Sequence, residues 1–460
     1  MADVAQSLAR AARSPAFKFL LICFLILLLL VPLLIVLGLV SEREGRAGEV
    51  RGEVARTWGG PQQVSGPFVV VPYTVRLETR DGDKRVEQVQ ERRAVFLPEE
   101  LTVKGRSTSQ VLHRSIYEVN VYTATVALEG RFAAPDMADV DPGAIGVRWR
   151  DATVVLGLGD VSGLKEAAAL KISGEQDLPF APSLGLPAAN VNGIHVKLAG
   201  AKSVLPADEA PPRPFPFRID LVFSGSSTLS FAPAARETRV ALASDWPHPS
   251  FSGAFLPAER TVTDQGFTAS WRVPHLARSV PGAWSLAEAP IDRFGPYQFG
   301  VTFYQPVEFY DLVSRAVKYG VLFLGLGFMG VFVLELWSPR RVHPVQYLFV
   351  GLAMVFFYVL LLSLAEHTGF AAAYLAASAA TGGMLSLYVA KAFESARTGL
   401  AMLALFAAIY AFLYLILTLE DYALLAGALL GFAALTGIMF ATLKVDWSAG
   451  GARPSATPQA

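Results

Sequence analysis

The sequence predicts a multi-span α-helical membrane protein, with six transmembrane helices and a large, mainly β exported domain. Three observations predict it. Of 460 residues, 53% are hydrophobic and only 17% are charged, whereas soluble domains run near a quarter charged. The charges are also unevenly spread: 11 of the 129 residues from Val317 to Val445 are charged, against 61 of the 276 from Ser41 to Ala316. Finally, six apolar runs approach the roughly 20 residues needed to cross hydrocarbon. The formal net charge is zero, so nucleic-acid binding is not expected as a whole-chain theme. A single cysteine, Cys23, excludes an internal disulfide framework and any cysteine-based metal cluster.

Taken in order, residues 1–18 form a short N-terminus with Arg10, Arg13 and Lys18. The first span, 19–40, is longer than a signal-peptide core and is followed by Ser41-Glu42-Arg43, which offers no small-x-small cleavage site. It is expected to stay as an anchor, kinked at Pro32, which lipid-embedded helices tolerate. Residues 41–58 are polar, with Ala47, Val50, Val54 and Trp58 at helical spacing, the pattern of a stalk helix with one apolar stripe. The body from 41 to 316 is otherwise strand-like. Alternation in 68–79 and 85–97 flanks Asp81-Gly82-Asp83-Lys84, a hairpin signal. Further strands are expected at 115–128, 147–156, 217–223, 238–243 and 266–273, with one helical turn near 164–170.

Phe96-Leu-Pro-Glu-Glu-Leu-Thr-Val103 and Phe255-Leu-Pro-Ala-Glu-Arg-Thr-Val262 agree at six of eight positions. The echo suggests two packed β modules, by duplication, by a shared turn solution or by chance. The oily block, 317–445, holds the other five spans at 319–337, 345–365, 370–390, 400–419 and 422–443. Residues 446–460 form a polar, disordered tail.

Basic residues near span ends mark the cytoplasmic side. Arg340 and Arg341 lie between spans two and three, Lys391 and Arg397 between four and five, and Lys444 after six; the loops 366–369 and 420–421 hold no basic residue. Both termini are therefore expected inside, and residues 41 to 316 outside.

Motifs for chemistry are scarce. Gly325-Leu-Gly-Phe-Met-Gly330 fits a dinucleotide fingerprint only formally, since no strand precedes it. Close helix packing is the expectation there and at Gly427-Ala-Leu-Leu-Gly431. Asp160-Val-Ser-Gly163 and Ser224-Gly-Ser-Ser227 are expected to be turn and loop chemistry. No HExxH, GxSxG or CxxC occurs; no catalytic residue, metal site or cofactor is expected. The candidate functional residues are polar groups at the membrane edges: Lys318 at the outer end of span two, Glu335, His343 and Gln346 on the inner side, and Glu366 and His367 at the outer end of span three. Charge in hydrocarbon usually has a reason. The plainer account is that these groups snorkel to the interfaces. His343 and Glu366 lie about 34 Å apart along one helix and cannot share a site; Lys318 with Glu366 is the candidate outer pair.

Several of these segments are similar to the CreD family. They include Phe303-Tyr-Gln-Pro-Val-Glu-Phe-Tyr310, His343-Pro-Val-Gln-Tyr347 and Phe357-Tyr-Val-Leu-Leu-Leu-Ser-Leu-Ala-Glu-His367. In the body they include Gly66-Pro-Phe-Val-Val-Val-Pro-Tyr73 and Ser244-Asp-Trp-Pro-His-Pro-Ser-Phe251. The resemblance covers about Glu42 to Tyr388. It implies an inner-membrane protein of Gram-negative bacteria that supports cell-envelope integrity, is linked to a two-component system and alters β-lactam tolerance. The body would then be periplasmic. Expected partners are the lipid bilayer and periplasmic, envelope or cell-wall components. A solute transporter or channel and a periplasmic enzyme are the alternatives. The family supplies no catalytic residues to carry over.

Overall fold

The computed structural model describes residues 15–81, 84–186, 191–206, 210–303, 309–336, 342–419 and 423–442. The chain divides into two compact units, one formed by residues 1–48 with 307–460 and the other by residues 49–306.

The helical unit begins with α1 (Pro15–Trp58), a 44-residue helix that continues through Pro32. The anchor and stalk expected separately are thus one element, and the unit boundary falls within it at residues 48 and 49. Ile22, Leu25, Leu29, Leu33, Val36 and Val40 are buried, at spacings of three and four, while Phe24, Leu27, Leu28, Val31, Leu34 and Ile35 are exposed. A helix apolar all round, with one stripe packed on protein and the rest bare, is matched to lipid. The remaining helices are α2 (Phe309–Lys318), α3 (Gly320–Leu336), α4 (Pro344–Thr368), α5 (Phe370–Ala392), α6 (Ala396–Thr418) and α7 (Ala423–Thr442).

Among the described residues four helices, α1, α4, α5 and α6, are long and apolar enough to cross a bilayer, and α2 with α3 brings the number to five if the pair counts as one span. That pair bends by 50°, where the sequence suggested a single span beginning at Tyr319. The break lies at Tyr319, beside Gly320, whose missing side chain admits Leu33 of α1; a Cβ there would lie 2.9 Å from Leu33 Cδ1 and 3.3 Å from the Tyr358 hydroxyl. Glycine at a close helix crossing is a common place for such a kink. In α7 the apolar stretch Leu425–Gly437 is shorter than a full span.

Of the expected glycine contacts, Gly327 abuts Met354 and Phe406, and Gly330 abuts Leu405. Gly325, Gly427 and Gly431 have nothing within 4 Å, so the packing face expected on the last helix is not in use among the described residues.

The β unit contains two sheets. The ten-stranded sheet runs Pro249–Gly253, Phe299–Phe303, Thr228–Phe231, Gln62–Asp81, Thr153–Leu158, Gly193–Lys197 and Ala181–Pro182, with three strands off this path. The eight-stranded sheet runs Glu259–Thr263, Gly266–Pro274, Glu237–Ser244, Glu100–Arg114, Tyr117–Phe132, Phe215–Ser226, Ala169–Lys171 and Leu178–Pro179. Asp81 pairs with Lys84 at the end of the expected hairpin, whose residues 82–83 lie outside the described ones.

Two sequential β modules are not what forms. Strands from both halves of the segment interleave in each sheet: Gln62–Val64 pairs in parallel with Leu229–Phe231, and Glu100–Ser107 in parallel with Glu237–Ser244. One core lies between the sheets. Phe251, Phe299 and Phe303 of one sheet meet Phe267, Trp271 and Tyr122 of the other with ring centroids 4.6 to 5.9 Å apart.

The internal echo has a structural cause. Leu97-Pro98 links strand Lys84–Phe96 of the ten-stranded sheet to Glu100–Arg114 of the eight-stranded one, and Leu256-Pro257 makes the same step from Pro249–Gly253 to Glu259–Thr263. Proline lacks a donor for a sheet ladder, so it suits a corner where the chain leaves one sheet for the other. The helical turn expected near 164–170 forms only just ahead of it, as the single turn Val161–Gly163. Leu164 bridges to Phe223, and Ala169–Lys171 is a short strand.

Candidate functional site

The polar groups of the helical unit gather at its two ends. At one end, Glu335 occupies the last turn of α3, where the exposed helix carbonyls disfavour negative charge. It is nonetheless buried, at 7% exposure. Three elements compensate it. Lys18 from the first turn of α1 forms an ion pair with Oε1, the Val342 backbone N–H donates to the same oxygen at 2.9 Å, and Tyr347 in the first turn of α4 donates its hydroxyl to Oε2 at 2.9 Å. One carboxylate thereby fastens α1, α3 and α4. Lys18 and Tyr347 were not legible as its partners, because one lies 317 residues away in sequence and the other reads as an apolar-face aromatic.

His343 and Gln346 stand beside this cluster but serve another purpose. His343 is the N-cap of α4, with Nδ1 accepting from the Val345 N–H at 3.3 Å, and Gln346 Oε1 accepts from the His343 N–H at 2.8 Å. This is a capping box with Pro344 at the first helical position. Replacing His343 by Ala is expected to cost about 1 kcal/mol, measured as a drop in the midpoint of thermal unfolding. Ser at the same position should recover most of the loss. A ligand or proton-carrying role would leave the Ser variant as defective as the Ala one.

At the opposite end of α4, Glu366 accepts from the Tyr310 hydroxyl of α2 at 3.3 Å and lies 3.9 Å from the Arg43 guanidinium of α1. The expected pair with Lys318 does not form. Lys318 is the last residue of α2, immediately before the break, and is exposed, whereas Tyr310 sits fully buried two turns earlier. His367 is exposed. Arg315 of α2 caps a different helix, donating to the Leu417 carbonyl near the end of α6 at 3.0 Å, where a cation offsets the helix dipole.

The candidate residues read from the sequence are polar groups at the membrane edges, and the tyrosines within the helices are not among them. Tyr374 donates to the Tyr410 carbonyl at 2.7 Å, the Thr381 and Tyr410 hydroxyls lie 2.8 Å apart, and the buried Tyr358 hydroxyl has no partner among the described residues. These rings pack with Phe323 and Phe357 at centroid distances of 4.7 to 6.4 Å. The remaining motifs are structural. Asp160 caps the turn Val161–Gly163 through the Ser162 N–H, and the Ser224 hydroxyl reaches the Gly163 carbonyl.

A profile of the family described as Inner membrane protein CreD matches residues 14–448, across both units. The chain belongs to the CreD family. It is 31% identical over 425 residues to Inner membrane protein CreD of Escherichia coli (strain K12), an alignment covering 92% of each chain. This CreD-family chain is therefore an inner-membrane protein whose apolar helices contact the lipid bilayer. Its two polar clusters each join helices far apart in sequence: Lys18, Glu335 and Tyr347 at one end, Arg43, Tyr310 and Glu366 at the other.

Proposed function

We propose that this chain supports cell-envelope integrity, with a role in envelope stress and the response to β-lactams, by presenting its β unit in the periplasm and acting there through contacts rather than catalysis. The observation that carries the proposal is α1. Its 44 residues are about twice the roughly 20 that a bilayer requires, and the polar half leads directly into strand Gln62–Asp81. In this account both termini are cytoplasmic, residues 41–316 are periplasmic, and α7 completes six spans. The distribution of Lys and Arg supports this orientation. The paired state of Glu335 and Glu366 supports a scaffold, since each carboxylate is already committed to other helices.

The test is deletion of the gene in its own host, followed by exposure to detergent and to wall-active β-lactams. Increased sensitivity, restored by the full chain but not by residues 1–58 alone, is the expected result. Sensitivity equal to wild type under both stresses would remove the proposal. A reporter fused after Leu419 should read as periplasmic; cytoplasmic activity there would overturn the topology.

A further inference from the structure

We propose that a cavity in the β unit binds a small zwitterion, a free amino acid or short peptide, by its carboxylate. The cavity lies at the corner made by Leu97-Pro98. The turn Met137–Asp139, Arg236 ahead of strand Glu237–Ser244, and the turn His275–Ala277 with Arg278 complete it. Its volume is about 450 Å³, within the roughly 300–1,000 Å³ typical of small-molecule sites.

Arg278 on its wall is 6% exposed. Nη1 donates to the Val280 carbonyl and Nη2 to the Ala235 carbonyl, each at 2.7 Å. The guanidinium lies over the Phe294 ring at 5.2 Å, and Nε is buried without a partner among the described residues. Guanidinium has five donors and a full charge. Two carbonyls satisfy two donors and neutralise nothing. The larger of the charge influences on Arg278 is a second cation, Arg293, opposed only by the Tyr297 phenol and by no carboxylate; Arg293 itself lies over Trp284 at 5.2 Å. Burial first, and then Arg293, push the guanidinium down to about 10, so it remains protonated at neutral pH. A buried cation with no counter-carboxylate among the described residues favours an anion brought in from outside.

The rim selects among anions. His275 is half-buried on the wall and Arg236 is exposed, while Glu99 and Asp139 are exposed at the mouth. A buried cation beneath a mouth that carries three exposed acids, Glu99, Asp136 and Asp139, beside one exposed arginine, Arg236, matches a ligand that enters carboxylate first and leaves its ammonium outside. The same acids repel a multiply charged anion such as phosphate. Arg supplies the fork of donors that fits a carboxylate.

The experiment is isothermal titration of the purified full chain in detergent micelles with L-alanyl-L-alanine, its C-terminal amide, its N-acetyl form and inorganic phosphate. The dipeptide is expected to bind with a dissociation constant of about 1 mM or tighter. The amide should bind at least about tenfold more weakly, and Arg278→Gln should abolish binding. Because Arg278 also braces two carbonyls, Asp139→Asn is the companion variant. It should weaken the dipeptide and leave the N-acetyl form unchanged. Absence of heat with the dipeptide, equal affinity for the amide, or tighter binding of phosphate would each overturn the assignment. Binding measured on the purified chain stands apart from the deletion phenotype, so one can fail without the other.

Discussion

Replacing Lys18 with Met should lower the stability of the helical unit by about 3–5 kcal/mol, the usual result of leaving one member of a buried ion pair uncompensated. Glu335 would keep the Val342 N–H and the Tyr347 hydroxyl, but neither supplies charge, and its side chain is only 6% exposed. The converse variant, Glu335→Gln, should cost less. Lys18 is 17% exposed and carries a flexible stem that can carry its ammonium to water, and Gln retains an acceptor for Tyr347. The double variant Lys18→Met/Glu335→Gln should be more stable than Lys18→Met alone, because the buried charge is gone. Thermal unfolding of all four proteins in the same detergent gives the coupling energy directly. Additive losses, with no recovery in the double variant, would mean the pair is not the fastening inferred from its geometry.

How far the sequence announces this structure depends on the range of the interactions. Spans 345–365, 370–390 and 400–419 are set by local hydropathy; α4 and α5 contain the first two, and α6 covers the third up to Thr418. The Asp-Gly hairpin is local too, and its strands pair as expected. The bend before Gly320 was hidden, because the span read from hydropathy begins at Tyr319 and says nothing of the helix ahead of it or of Leu33 arriving from another helix. Two interleaved sheets were likewise illegible. Parallel pairing of Glu100–Ser107 with Glu237–Ser244 joins segments about 137 residues apart, and no local pattern encodes the partner of a strand. Candidate residues divided in the same way. Gln346 sits three residues after His343, as a capping box requires, so their role was readable in the sequence. Arg278 was not, since its significance comes from the missing counter-charge around it.

Gln62→Leu should destabilise the β unit by about 3 kcal/mol, since each buried polar group left without a partner costs about 1–3 kcal/mol. Gln62 is 2% exposed. Its amide nitrogen lies 2.6 Å from the Gly59 carbonyl and 3.0 Å from those of Asp160 and Ser224, while its Oε1 accepts from the Asp160 N–H at 3.3 Å. One side chain thus holds together the exit from α1, the turn before Val161 and strand Phe215–Ser226. Leu fills similar space and restores none of these bonds. Gln62→Glu should be worse at neutral pH, because a carboxylate would face three carbonyl oxygens. Burial beside acceptors raises the folded pKa of that new acid above its unfolded value. The folded state then binds the extra proton, so stability of this variant should rise as pH falls toward the unfolded carboxyl range, while Gln62→Leu shows no such trend. Thermal melts of the full chain across pH 5 to 8, a window chosen around the ordinary stability optimum of about pH 5–8, separate the two. A Leu variant within about 0.5 kcal/mol of wild type, the spread of neutral surface changes, would show that the surrounding carbonyls find other donors and that Gln62 fastens nothing.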